Sequence, residues 1–137
     1  MKKIILVFTI LISGIVSAQK VNLTVELSGF KNNDGKAHVG LYNAEGKFLK
    51  EAYQGEISAL KGLKAAAVFN NLAVGEYAVS VFHDENNSGI LERGTFGIPK
   101  EDVACSNNAK AFMGPPKYSD AKFMLSKDKT ISITLNN

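Results

Sequence analysis

The chain alternates apolar and polar residues with a period of two along much of its length. The alternation is clear over residues 21–27 and, after a turn at residues 32–35, over residues 37–42. A period of two is typical of half-buried β-strands. The Asn-Asn-Asp-Gly turn between the two segments predicts that they pair as a hairpin.

Shorter alternating segments continue the pattern. Further strands are predicted near residues 55–60, at 65–69, at 77–82, at 121–125 and at 130–135. Asn70 and Asn71 are predicted to end the strand before them, and the last two strands are predicted to form a closing hairpin. About seven short strands without a convincing helix predict an all-β fold, a single antiparallel β-sandwich. Its predicted core consists of Val25, Leu27, Val39, Leu41, Phe69, Leu72, Tyr77, Val79, Val81, Phe123, Ile131 and Ile133.

Residues 84–120 interrupt the strand pattern. This stretch is far longer than an ordinary connection, and such insertions are usually functional or disordered. Six apolar anchors argue for order: Phe96, Ile98, Val103, Phe112, Met113 and Tyr118. We therefore expect a long ordered loop excursion, packed against one end of the sandwich, in the position where binding sites are common.

The first eighteen residues have the pattern of a secretory signal peptide. Lys2 and Lys3 precede an apolar run, and small residues end at Ala18, before Gln19. A transmembrane anchor is the alternative, but the apolar segment is shorter than the roughly 20 residues that span a bilayer. We expect a signal peptide at 1–18, one domain at 19–137, and export to the periplasm or the extracellular space without stable membrane insertion.

Composition narrows the classes of function. Without Lys2 and Lys3 the chain has 14 basic and 13 acidic residues, so its overall charge implies no attraction to nucleic acid or to anionic membranes. Cys105 is the only cysteine, so no internal disulfide can form. It is interpreted as a buried inert thiol, and an intermolecular disulfide is the alternative.

Oxygen-bearing side chains occupy alternate positions directly after the predicted strand at 77–82. Such a loop, closed by a glycine, points its oxygens at a common centre, and Ca²⁺ prefers six to eight oxygen ligands. Thr95 stands where an EF-hand has its bidentate Glu, so only a weak site is expected. The alternative is an Asx turn that bonds its own backbone. The predicted calcium ligands are Asp84, Asn86, Ser88, the carbonyl of Ile90, and Glu92.

The excursion carries motifs that resemble a known family. The chain resembles the DUF2141 family, small secreted bacterial proteins of unknown function, over about residues 20–136. The chain departs from the family pattern in two places. Cys105 stands where members typically carry an aromatic or small residue. In the loop, Ser88 stands where Asn or Asp is usual, and Glu92 stands where Asp is usual. The matching elements are His83-Asp84-Glu85-Asn86, Gly97-Ile98-Pro99-Lys100-Glu101, Ser106-Asn107-Asn108-Ala109, Gly114-Pro115-Pro116 and Asp120-Ala121-Lys122-Phe123.

A second resemblance concerns the fold. The segment Phe69 to Tyr77 is similar to the F-x-x-L-x-x-G-x-Y signature of transthyretin-like and carboxypeptidase regulatory-like sandwiches. The resemblance implies that Leu72 plugs the sandwich edge, Gly75 makes the turn and Tyr77 starts a core strand. Such sandwiches commonly serve as binding or spacer modules.

Three classes of function follow from these features. We expect a non-enzymatic binding module for a polar ligand, a glycan or a peptide. The alternative is a structural, strand-pairing partner of an envelope protein. A hydrolase that uses His83 and Asp84 as a general-base pair is a weaker third, because no nucleophile motif accompanies them and His83 is expected to bond a backbone carbonyl. The predicted ligand-binding residues are Asn107, Asn108, Lys110, Phe112 and Tyr118, although turn and anchor roles also suit them.

Overall fold

A computed structural model describes residues 17–135, so residues 1–16 of the predicted signal peptide lie outside it. The described chain contains eight strands and one short α-helix. The strands are β1 (Lys20–Ser28), β2 (Lys36–Tyr42), β3 (Gln54–Ala59), β4 (Ala65–Ala73), β5 (Gly75–Asp84), β6 (Val103–Cys105), β7 (Phe123–Leu125) and β8 (Lys129–Thr134), and α1 is Tyr118–Ala121. Single turns of 3₁₀-helix lie at Glu45–Lys47, Thr95–Gly97 and Ser106–Asn108.

The strands form two sheets, which confirms the predicted all-β sandwich. The smaller sheet has the order β4-β1-β8, and the larger has the order β3-β2-β5-β6. Strand β7 pairs with the first residues of β5, while β6 pairs with its later residues. The paired strands are antiparallel except β1 and β8, which run parallel.

Both predicted hairpins are wrong. Strand β1 pairs with β4 and β8, whereas β2 pairs with β3 and β5 in the opposite sheet. Likewise β7 pairs with β5 and β8 with β1. In each case the turn carries the chain from one sheet to the other. The two strands that flank the turn therefore lie on opposite sides of the core, and each buries its apolar face against it.

The main core fills the space between the sheets. Ten of the twelve predicted core residues are buried, and the other two, Phe123 and Ile131, are partly buried against the same cluster. The alternation of apolar and polar residues along β1 and β4 accounts for this agreement, because successive side chains of a strand point to opposite faces.

The chain passes from the smaller to the larger sheet between β4 and β5. Leu72, 1% exposed, fills the core just before this passage, and the Tyr77 hydroxyl just after it donates a 2.7 Å hydrogen bond to the Ala73 carbonyl. The predicted end of this strand at Asn70 and Asn71 is wrong, because β4 continues to Ala73. Instead Asn71 takes a left-handed backbone (φ 57°) where the β1–β4 register shifts, so the strand continues beyond an irregularity.

The excursion packs against part of the outer face of the larger sheet. Its β6 extends that sheet, and α1 packs over it. A second apolar cluster forms there from Tyr42, Phe48, Ala78, Cys105, Tyr118 and Ala121. Among the described residues there is no helix with the length and apolar character needed to cross a bilayer.

Candidate functional site

Asp84 organises the loop that follows β5. Its side chain is 1% exposed, and its two carboxylate oxygens accept hydrogen bonds from the backbone N–H groups of Ser88 and Gly89, each at 2.9 Å. Burial by itself raises the pKa of Asp84. The hydrogen bonds from Gly89 and Ser88 and the nearby His38 outweigh this effect and leave the pKa below its usual value. Asp84 is therefore a buried carboxylate that holds the loop closed.

The loop brings the five predicted calcium ligands together. The Ser88 hydroxyl lies 3.3 Å from Asp84 Oδ1 and donates to the Ile90 carbonyl at 3.0 Å. The Asn86 amide donates to Glu92 Oε1 at 2.6 Å, and the Asn86 oxygen accepts from the Ser88 N–H at 3.2 Å. Gly89 takes a positive φ of 81°, which lets the chain bend sharply at this point. The loop thus has the Asx-turn bonds of the alternative interpretation as well as the oxygen clustering of a metal loop.

Glu101 adds a third carboxylate to the surroundings of the loop. Its Oε2 atom accepts a 3.3 Å hydrogen bond from the Glu92 N–H. Burial raises the pKa of Glu101, and the charges of Asp84 and Glu92 raise it further. Within residues 17–135, however, there is no group of three or more His, Cys, Asp or Glu side chains arranged to hold a metal ion. Calcium binding therefore stays a prediction.

His38 is a residue of the site that the sequence did not reveal. It lies on the outer face of β2, where its Nε2 atom is 3.0 Å from Asp84 Oδ2. Its ring stacks on Phe82 of the neighbouring strand, with centroids 4.6 Å apart. The only signal was its polar position in the alternation of β2. Because β2 and β5 are not joined by a hairpin, nothing local in the sequence placed His38 beside Asp84.

A shallow pocket of about 270 Å³ opens beside His38. It is lined by Lys36, His38, Ile57, Asp84, Asn87 and Gly89. A larger hollow of about 390 Å³ lies between Glu26, Lys64 and Ser132, and none of the predicted site residues lines it. The chemistry of the first pocket, with a cation, an imidazole and a carboxylate, makes it the better candidate for a binding site.

His83 has a structural position. It is fully buried, its Nε2 atom lies 2.7 Å from the carbonyl of Asp34, and its ring packs edge-on against Phe30. The predicted bond to a backbone carbonyl is confirmed. The alternative general-base pair of His83 and Asp84 is not formed, because the two side chains of adjacent strand residues point to opposite faces.

The turn before β2 packs tightly against the same loop. Gly35 has a φ of 66°, and a Cβ atom added to it would lie 1.8 Å from the Asp84 carbonyl oxygen. The Asn32 amide donates to Glu85 at 3.2 Å. This turn, which the sequence predicted only as a hairpin turn, therefore forms one wall of the site.

The predicted ligand-binding residues are not brought into one pocket. The Asn107 amide donates to the carbonyls of Asp120 and Lys122, and the Asn108 oxygen accepts from the Thr134 N–H. Tyr118 is buried in the second apolar cluster, while Lys110 and Phe112 are exposed. These contacts match the turn and anchor roles that the sequence left open, and ligand contact by the five residues stays a prediction.

Fold and site together define a single β-sandwich domain with a polar loop site at the end of its central strand. Residues 25–134 match the family described as "Uncharacterized protein conserved in bacteria (DUF2141)", and the chain belongs to this family. No curated protein and no solved structure matches the chain.

Proposed function

We propose that the protein is an exported, non-enzymatic binding module whose loop at residues 84–92 binds calcium weakly. The observation that carries the proposal is a chain of hydrogen bonds that links the five oxygen-bearing residues, from Asp84 through Ser88 to Ile90 and Asn86, and from Asn86 to Glu92. Such clustering supplies several of the six to eight oxygens that Ca²⁺ prefers. The ion would take the place of the internal hydrogen bonds between Asn86 and Glu92 and between Ser88 and Ile90.

The expected affinity is low for a physical reason. A carboxylate offers about four lone-pair sites, and Asp84 already accepts bonds from Ser88 and Gly89 and contacts His38. Few of its sites remain for a metal. With Glu92 as the second carboxylate, we expect a dissociation constant of about 0.1–1 mM, which is typical of extracellular calcium modules.

Calcium should therefore raise the melting temperature. At about 2 mM free calcium and a dissociation constant near 0.2 mM, mass action stabilises the fold by roughly 1.4 kcal/mol. For a domain of this size the shift is several degrees. Differential scanning fluorimetry with excess chelator, with calcium and with magnesium measures it, and limited proteolysis shows whether residues 84–120 become more resistant.

Variants assign the effect to the loop. Glu92→Gln keeps the shape of the side chain but removes a charge, and it should abolish most of the calcium shift. Ser88→Ala should only reduce it, because a hydroxyl is a weaker ligand than a carboxylate. Identical melting and proteolysis in chelator and in several millimolar calcium would leave the loop as an Asx turn and refute the metal site.

The binding surface proposed for a glycan or a peptide is the pocket beside His38. The His38 ring, which stacks on Phe82, and the Ile57 side chain line it, and Lys36 and Asp84 give it charges of both signs.

Strand pairing is the second candidate, favoured by β3. This strand is the edge of the larger sheet, and its residues Gly55, Glu56 and Ile57 are exposed. An exposed edge has unpaired N–H and C=O groups that can add a partner strand. The mass in solution tests pairing between copies of the chain, because a stable monomer contradicts it.

A further inference from the structure

Residues 92–100 form a tight hairpin, the tip hairpin, beyond the loop at the end of β5. The Lys100 N–H donates to the Glu92 carbonyl at 2.9 Å, and the Gly94 N–H donates to the Ile98 carbonyl at 2.8 Å. The Arg93 guanidinium closes the turn with a 3.0 Å bond to the Gly97 carbonyl. These bonds between its two arms give the tip hairpin a defined shape.

The tip hairpin presents apolar side chains to solvent. Phe96 is 95% exposed and Ile98 is 63% exposed, and Ile90 in the adjoining loop is 66% exposed. Phe96 also has a left-handed backbone, with φ at 61°. This conformation is unfavourable for a bulky side chain. Phe96 therefore combines an exposed aromatic ring with an unfavourable backbone conformation. Backbone outliers of this kind and exposed apolar groups are both common at binding surfaces.

Beyond Glu92 at its base, the charges on the tip hairpin are of one sign. Arg93 and Lys100 flank the apolar side chains, and no acidic residue occurs between them. The nearest acids in the chain, Glu92 and Glu101, lie at the base of the hairpin and are linked by the hydrogen bond from the Glu92 N–H to the Glu101 carboxylate. The exposed end thus combines two cations with bare apolar groups.

We propose that the tip hairpin docks reversibly on an anionic phospholipid bilayer. Phe96 and Ile98 enter the boundary between headgroups and acyl chains, and Arg93 and Lys100 contact the phosphates. The near-neutral net charge of the whole chain does not reveal this surface, because it sums the charges of the hairpin with those of all other residues. Such docking is peripheral and does not involve a membrane-spanning segment.

Vesicle cosedimentation tests the proposal. The leaderless chain, residues 19–137, is mixed in chelator at low salt with vesicles of phosphatidylcholine alone or with added phosphatidylglycerol. We expect preferential binding to the anionic vesicles that weakens as salt is added. Phe96→Ser should lower the partition coefficient about tenfold. Lys100→Ala should lower it about fivefold and reduce its salt dependence. The absence of calcium keeps this result separate from that of the metal loop.

Phe112→Ser is the matched control. Phe112 is 83% exposed in the loop between β6 and α1, near two lysines. The described backbone bonds do not join the two arms of that loop. The control should bind like the parent chain. An equal loss in Phe112→Ser, no preference for anionic vesicles, or capture of a protein by the hairpin without vesicle binding would overturn the proposal. Unchanged circular dichroism confirms that each variant is folded.

Discussion

At the scale of single residues, Leu72 is the clearest link between sequence and stability. It is 1% exposed and fills the core where the chain leaves β4 for β5. Leu72→Ala should lower the free energy of unfolding by about 2–5 kcal/mol, because the change removes buried methyl groups and leaves a cavity. Urea denaturation measures the loss.

Val68→Ala on the same strand is the control for Leu72→Ala. Val68 is 45% exposed, so its truncation leaves no cavity and should cost less than about 1 kcal/mol. A loss below about 1 kcal/mol for Leu72→Ala itself would show that Leu72 does not fill the end of the sandwich.

Cys105 shows how far a single residue can be interpreted from sequence. The lone cysteine left open a buried thiol or an intermolecular disulfide. The structure buries it at 4% exposure, and burial raises the pKa of its thiol to about 11. A protonated buried thiol is a poor nucleophile, so the residue serves the second apolar cluster.

At the scale of elements, Ser106 holds the excursion to the larger sheet. Its buried hydroxyl accepts a 2.9 Å bond from the Val79 N–H of β5 and donates to the Ala121 carbonyl of α1. Ser106→Ala should cost about 1–3 kcal/mol, because it leaves two buried backbone groups without a partner. Urea denaturation gives the cost, and proteolysis within residues 106–122 should become faster.

Ser119→Ala is the control for Ser106→Ala, because it makes the same substitution at an exposed serine on α1. It should stay within about 0.5 kcal/mol of the parent chain. Equal stability of the two variants would contradict the role assigned to Ser106.

Strands were more predictable than their pairing. Alternation located β1, β2 and β5 because each has one face in the core, and the ambiguous strand near residues 55–60 is β3. Pairing could not be predicted in the same way. Turns such as residues 32–35 suit a hairpin locally, but the partner of a strand depends on which sheet it joins, and distant segments decide that.

At the scale of the whole molecule, the site is assembled from segments that are far apart in the sequence. The loop after β5 was predictable because its ligand types lie within nine residues. The contacts of His38 and of the turn at Gly35 with Asp84 were not predictable, because they form only through the pairing of β2 with β5. Local chemistry is therefore readable from the sequence, while the pocket beside it follows from the sheet.

The boundary of the folded domain gives the last prediction. Strand β1 begins at Lys20, and residues 17–20 are exposed. Cleavage after Ala18 would therefore leave every described strand intact. We expect the exported protein to begin at Gln19, and intact mass or N-terminal sequencing measures this. Ala18→Arg should block processing, because the cleavage site requires a small residue at that position. An exported chain that keeps Lys2 and fractionates with membranes would contradict cleavage and restore the anchor interpretation.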